Sequence, residues 1–287
     1  MTLPSSPGPR LRQALQQAHD AGSVLPFVGI YDLFSASLAA RRFDALFLSG
    51  FGLAASSFGL PDVGFISWGD LVASTGRLRA LLPDHHLLVD IDDGFGDAPV
   101  AAHVARSLER CGASGVVLED QARPRRCGHL EGKRLVPLAD HLAKLDTVLR
   151  ERRSLVVVAR TDASDPAEIL ERIQAFDRLG CDAVLADGLQ DLDLIRRLRE
   201  AVRCPLFCNV IGGGRVPPCS RAALAGHGVQ GLIYSTPCLF AAQGAIEQAL
   251  GQLGDDHAPL PAALAASHQL SQCDALLQAN LRSAGGA

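Results

Sequence analysis

Asp90 and Asp92 stand two residues apart in "VDIDDGFGD", and Glu119 closes the apolar run "GVVLE" further along the chain. Carboxylates at i and i+2 of a strand share a face, and charges of one sign so close repel unless a cation lies between them. With Glu119 added, the pattern suits a hard divalent cation, Mg²⁺ or Mn²⁺, held by few carboxylates and several waters. The plainer reading is an Asp-rich turn that caps the following helix. Arg160 ends "VVVAR"; a guanidinium there can grip a substrate carboxylate bidentately, pair with Asp162 or Glu119, or do both. Asn209, after "PLFC", is a hydrogen-bonding partner for a ligand oxygen or a strand-end turn residue.

Ser49 and Gly50 open "SGFGLAASSFGLPD", a small-residue stretch whose successive backbone N–H groups can cradle an anion or simply make a turn. It lacks the Gly-Lys-Ser/Thr ending of a nucleotide phosphate loop. The segment "LEDQARPRRCGHLEGKRL" places a thiol in a basic loop of about a dozen residues, long enough to act as a lid. Arg123, Arg125, Arg126, Lys133 and Arg134 would attract an anionic substrate and depress the Cys127 thiol pKa. Cys127 is then a proton donor or base that meets the reacting carbon on closure, with His129 and Glu131 as helpers. A solvated basic loop with an incidental thiol is the alternative.

These residues need a scaffold that gathers them. Eight short apolar runs, "LPFVGI", "ALFLSG", "LLVDID", "SGVVLED", "LVVVART", "AVLAD", "PLFCNV" and "GLIYS", alternate with helically spaced stretches. "DAPVAAHVARSLERCG" and "DPAEILERIQAFDRLG" each close on a glycine, where a helix end favours it. Near-continuous apolar strands between amphipathic helices imply a parallel α/β sheet, and eight of them suggest a closed (β/α)₈ barrel. Ser49, Asp90, Asp92, Glu119, Arg160, Asp162, Asp187, Asn209 and Ser235 all fall at strand ends, where such a barrel carries its chemistry. An open doubly wound sheet would gather them similarly.

The chain of 287 residues, 48% apolar and 20% charged with a net charge of −4, reads as one large globular unit. That charge gives no general footprint for nucleic acid or an anionic membrane. No apolar run reaches the roughly 20 residues of a membrane span. The eight cysteines read as reduced packing thiols of a cytoplasmic protein, and Cys204 with Cys208 lacks the second pair that a zinc site needs. "MTLPSSPGPR" looks like a flexible arm. Residues 1–244 form the expected catalytic barrel and 245–287 a helical extension, with a helix over Ala262–Leu281 whose apolar face needs a partner.

From about Phe27 to Gly244 the chain resembles the isocitrate lyase / phosphoenolpyruvate mutase superfamily. The resemblance is carried by "GIYDLFSASLA", "LSGFGLAASSFGLPDVG", "DIDDGFGD", "GVVLEDQ", "RPRRCGHLEGKRLVP", "VVARTDA" and "CNVIGGG". It implies a Mg²⁺-dependent barrel enzyme that makes or breaks a C–C or C–P bond beside a carboxylate through a metal-stabilised enolate. By position it implies a metal shell of Asp90, Asp92, Glu119 and Asp62. Ser49, Gly50 and Phe51 become the substrate-carboxylate loop, Arg160 and Asn209 substrate ligands, and Gly128 and Asp187 further substrate neighbours. The Cys127-Gly128-His129 triplet resembles the methylisocitrate lyase branch, where the thiol protonates the enolate. Carboxyphosphonoenolpyruvate mutase carries nearly the same triplet. Departures fall at Asp93, Asp187, Gly212 and Val216, where relatives often have Thr, Glu, Glu and Thr, and they bear on selection of the substrate's far end. The family also implies a homo-oligomer, dimer or tetramer, with the C-terminal helix swapped between subunits.

The expected activity is therefore carbon–carbon lyase chemistry on a small 2-hydroxy di- or tricarboxylate, releasing a 2-oxo acid. Oxaloacetate decarboxylation and a phosphonomutase reaction on a phosphonate are the alternatives. A barrel that only binds a carboxylate ligand would have no need of the repulsive acid cluster.

Overall fold

A computed structural model of the protein describes residues 6–253 and 270–284. Eight parallel strands close into a barrel in chain order, β1 pairing with both β2 and β8. They are β1 (Leu25–Ile30), β2 (Ala45–Leu48), β3 (His86–Asp90), β4 (Gly115–Glu119), β5 (Val156–Thr161), β6 (Ala183–Ala186), β7 (Leu206–Val210) and β8 (Gly231–Tyr234). Each matches one of the apolar runs read from the sequence. Burial on both faces explains why those runs do not alternate. Inward residues Phe27, Phe47, Leu88, Val117, Val158, Leu185, Phe207 and Ile233 fill the barrel as one cluster. The outward residues form a second cluster beneath the helices. Gly231 is required here, since a Cβ would strike the Phe207 ring.

The helices begin and end where local chemistry dictates. In α5 (Ala98–Arg110) the Asp97 side chain accepts from Val100 N–H; in α7 (Pro166–Leu179) Asp165 accepts from Ala167 and Glu168 N–H, and Gly180 ends the helix at φ 91°. Such caps satisfy donors that a helix leaves unpaired at its start. The strand-to-helix loops then open at one rim.

From Pro7 onward the chain is helical rather than the flexible arm suggested by its prolines; residues 1–5 lie outside the described residues. Helix α1 (Pro7–Asp20) starts at Pro7, and its prolines sit in the first turn, where no backbone donor is needed. Leu11 and Leu15 point into the barrel-interior cluster and plug its floor. Arg12 fastens the helix to Asp182 at 2.7 Å and to the Ser154 carbonyl at 2.8 Å.

After β8, α10 (Pro237–Leu253) runs across the expected 244/245 boundary without a break. A final helix, α11 (Leu270–Ala284), covers the later part of the expected Ala262–Leu281 helix; residues 262–269 lie outside the described residues. All eight cysteines are free. Among the described residues no helix is long and apolar enough to cross a membrane.

Candidate active site

The rim at the C-terminal strand ends holds the residues singled out above. Ser49, Phe51, Asp62, Asp90, Cys127, Gly128, Arg160, Asp187, Asn209 and Ser235 line one cavity of about 30 Å³, together with Phe47, Ile211 and Thr236. Ser49 caps a short helix, α3 (Gly50–Leu53), by accepting from Gly52 N–H at 3.1 Å. Gly50 and Phe51 thus occupy a first turn, whose N–H groups lack intrahelical acceptors.

Asp90 ends β3, but Asp92 lies beyond the strand with φ 48°. A left-handed turn, rather than strand alternation, brings the two acids together. Both face Gly50, whose Cβ would stand 3.3 Å from Asp92 Oδ1 and 3.4 Å from Asp90 Oδ2. Both Asp92 oxygens are buried without a hydrogen bond. Arg125 Nη2 is 3.3 Å from Asp92 Oδ1, near enough to act through charge but not aligned to donate. Burial pushes Asp92 up to about 7, against Arg125, and raises Asp90 as well.

The other two expected ligands are differently engaged. Arg125, buried, donates from Nε to Glu119 Oε1 at 2.8 Å and from Nη1 to Asp62. Burial still holds Glu119 well above the ordinary carboxylate range, despite Arg125 and Arg160. The four acids therefore share one place without forming one cage, and among the described residues no three His, Cys, Asp or Glu side chains converge as a metal cluster. Orphaned Asp92 oxygens beside Asp90 fit a hard divalent cation that keeps several waters and takes few protein ligands.

Arg160 forms the ion pairs that one of its two sequence readings expects, with Asp162 and Glu119. Its Nη2 lies 2.7 Å from Asp187 Oδ2, 2.9 Å from Asp162 Oδ1 and 3.3 Å from Glu119 Oε2, while its buried Nε has no partner. That free donor can receive a substrate oxygen. Asn209 donates from Nδ2 to Asp187 Oδ1 at 2.9 Å and accepts from Ser235 Oγ. Burial works against ionisation of Asp187, but Arg160 and His129 outweigh it and hold the carboxyl below its usual range.

The basic loop, residues 121–136, folds over this rim. Its base closes by an antiparallel bridge between Gln121 and Leu135, with Ala122 N–H donating to the Arg134 carbonyl at 2.8 Å. Gly128 presses on the charged cluster; a Cβ there would overlap Asp187, Arg160 and Asp162. His129 Nδ1 accepts from Arg215 N–H at 3.0 Å, which leaves the ring proton on Nε2, 3.3 Å from Asp187 Oδ1. Glu131 is exposed and pairs with Arg215.

Two expectations about the loop change. Arg125 is not a solvent-facing lure for substrate; it is the buried counter-charge of the acid cluster. The Cys127 thiol pKa is raised, not depressed: burial dominates, and a hydrogen bond from the His129 backbone N–H offsets it only in part. Two of the departures, Asp93 and Asp187, have partners too. Asp93 accepts from Arg123 Nε at 2.8 Å and Nη2 at 2.7 Å, tying the loop's base to the barrel. Asp120 and Gln121, which follow Glu119 directly in "EDQ", were given no role in the sequence reading. Asp120 Oδ1 accepts from Asp162 N–H at 3.0 Å, and Arg172 Nη1 reaches its Oδ2 at 3.2 Å.

Residues 15–253 match the sequence family described as phosphoenolpyruvate phosphomutase. The chain belongs to that family. The 2-methylisocitrate lyase of Bacillus subtilis (strain 168) is 35% identical over 80% of this chain and 77% of its own length. Among solved structures, oxaloacetate acetylhydrolase in complex with the inhibitor 3,3-difluorooxalacetate superposes with a TM-score of 0.87 at 26% identity, covering 98% of each chain. Phosphonopyruvate hydrolase in complex with oxalate and Mg²⁺ gives 0.81 at 26% identity, covering 93% of this chain and 94% of that one. Family membership accounts for the shared barrel.

Proposed function

We propose that the protein is a carbon–carbon lyase that cleaves a small 2-hydroxy di- or tricarboxylate, methylisocitrate lyase-like, and releases a 2-oxo acid. The observation that carries this reading is the Cys127 thiol, kept protonated by burial on a lid that faces Arg160, Ser49 and Asn209 across one cavity. The similarity to 2-methylisocitrate lyase supports it.

Ser49 with the Gly50 and Phe51 N–H groups would hold one carboxylate of the substrate. Asn209 and the free Nε of Arg160 would take up oxygen atoms on which charge develops. A carboxylate of the acid cluster receives the hydroxyl proton, the C–C bond breaks as the carbonyl forms, and the electron pair passes to the carbon beside the leaving acid's carboxylate. Cys127 gives its Sγ proton to that carbon and is left as thiolate, with the His129 N–H beside it. His129 and Asp187 steady Gly128 and Arg160. Mg²⁺ or Mn²⁺ at Asp90 and Asp92, with Asp62 and Glu119 behind them, would supply Lewis-acid stabilisation of the developing oxyanion; the Mg²⁺ complex of a structural relative supports this assignment.

The test is release of 2-oxo acid, with and without Mg²⁺, from 2-methylisocitrate, isocitrate, dimethylmalate, citramalate, oxaloacetate and phosphonopyruvate, run beside Cys127→Ser. Mg²⁺-dependent cleavage of a hydroxy acid that the variant loses is expected. Inert hydroxy acids would remove the thiol's role and transfer the assignment to one of two other reactions. Oxaloacetate turnover is favoured as the second reading by the 0.87 superposition on oxaloacetate acetylhydrolase, and C–P chemistry by that on phosphonopyruvate hydrolase.

A further inference from the structure

Cys127 rides on the lid, but the group that fixes it sits at the lid's root. Gln121 follows β4 by two residues and is buried, with 2% of its surface exposed. Its carboxamide is used on three sides: Oε1 accepts from Arg126 N–H at 2.9 Å, and Nε2 donates to the Arg126 carbonyl at 2.7 Å and to Asp162 Oδ2 at 3.0 Å. One side chain thus fixes the peptide groups on both sides of Arg126, the residue before the thiol. Asp162 in turn receives Arg160 Nη2 on its other oxygen at 2.9 Å.

We propose that Gln121 is the positioning residue of the Cys127 thiol, clamping the Arg126 peptide groups and tying lid closure to the Arg160–Asp162 pair. Its catalytic consequence rests on the lyase reading above; the clamp itself does not. The chemistry of the site selects a carboxamide. Two donors must face two oxygens, the Arg126 carbonyl and Asp162 Oδ2, while one acceptor faces an N–H, and among uncharged side chains of this length only glutamine offers both. An ionised glutamate of the same shape would set a negative charge against both oxygens. Methionine keeps the length and forfeits all three bonds without adding charge.

Proton transfer to carbon requires the sulfur to be placed within a fraction of an ångström, and a 1 Å error can cost about a hundredfold. Release of the Arg126 peptide groups would leave Cys127 between the Arg125 ion pairs on one side and the contacts of His129 with Arg215 and Lys133 with the Gly128 carbonyl on the other, with no tie on the peptide groups next to it. Arg160 would keep its contacts with Asp187 and Glu119, so the groups that grip substrate stay in place.

The experiment measures iodoacetamide alkylation of Cys127 by peptide mass spectrometry in the wild type, Gln121→Glu and Gln121→Met. Near-UV circular dichroism checks the fold, the buried thiols Cys181 and Cys208 serve as internal controls, and steady-state kinetics follow on the substrate found active. Cys127 should react about tenfold faster or more in both variants, as expected for a locally opened lid, with the two control thiols unchanged. The kcat should fall about 10- to 100-fold and KM by less than about threefold in either direction. An alkylation rate within about twofold of wild type in a folded variant overturns the clamp. If Gln121→Glu does not fold, Gln121→Met decides. If the wild type cleaves none of the acids, the lyase reading fails and alkylation alone judges the clamp.

Discussion

The rim concentrates more carboxyl groups than its arginines can pair with. Asp62, Asp90, Asp92, Glu119, Asp162 and Asp187 face Arg125 and Arg160, both buried. Arg125 is the group that makes this tolerable in the closed lid, for it meets Asp62, Asp92 and Glu119 at once. Replacement by methionine removes a partner and leaves the carboxylates buried, which costs about 3–5 kcal/mol. Urea denaturation of Arg125→Met should show a loss of that size, and a loss below about 1 kcal/mol would mean that the acids are already discharged. Cys127 sits on the same loop with the opposite logic: it needs a proton to give, and burial keeps it there. Cys127→Ser should fold normally and lose about 10²- to 10⁴-fold in kcat, read in the same 2-oxo-acid assay. Asp90, Glu119 and Arg160 were legible as candidates because residue type and strand-end position identify them, whereas Cys127 was singled out by its basic loop and Asp62 by the family resemblance alone. That Arg125 and Lys133, of five neighbouring basic residues, turn inward was not legible, since loop residues carry no periodicity to tell them from Arg123, Arg126 or Arg134.

At the level of elements, strands and helices were readable because apolar runs and capping residues are local signals, as at Asp97 and Asp165. Helix α1 was missed because Pro7 and Pro9 signal a loop unless they are seen to fall in a first turn, and Leu11 and Leu15 reveal their purpose only against the barrel floor. Helix α6 (Leu138–Glu151) holds a less expected feature, a fully buried His141 set edge-on to Phe176 of α7 at 5.3 Å. Neither ring nitrogen has a hydrogen-bond partner. Burial chiefly, with Lys144 and Arg172 adding repulsion, lowers this histidine from 6.5 to about 3. As pH falls the unfolded chain takes up the proton first, so the neutral ring's contribution is full above about 6.5 and is lost progressively down to about 3, at about 1.4 kcal/mol per pH unit. His141→Leu should therefore flatten the acid limb of the stability curve by about one proton between pH 6 and 4, measured by urea midpoints across that range. An unchanged slope would show that the ring is already protonated in the fold.

For the whole molecule, the rim and the C-terminal helices pose linked problems. The cavity of about 30 Å³ beneath residues 121–136 is smaller than a dicarboxylate, which suits a loop that opens to admit substrate. A lid that moves is best carried by a body that does not, yet the outer surface here is unfinished. Ile246 and Leu250 on α10 and Leu277 and Leu281 on α11 are exposed, and an apolar groove of about 760 Å³ lies between α11 and the Phe34–Leu38 face of α2 (Leu33–Ala39). Within the chain, the hydrogen bond from Asn280 Nδ2 to Ser37 Oγ at 2.7 Å joins the two helices across that groove. Exposed apolar residues beside an apolar groove suit another protein surface better than water, and a second copy of the chain offers helices of matching character through a symmetric contact. The protein should therefore sediment as a dimer or tetramer at micromolar concentration. Leu277→Asp with Leu281→Asp, which places two charges on the exposed face of α11, should shift it toward monomer without altering the far-ultraviolet circular dichroism of the barrel. Sedimentation of the wild type as a monomer, or a doubly charged variant that remains fully assembled, would exclude these helices as the interface.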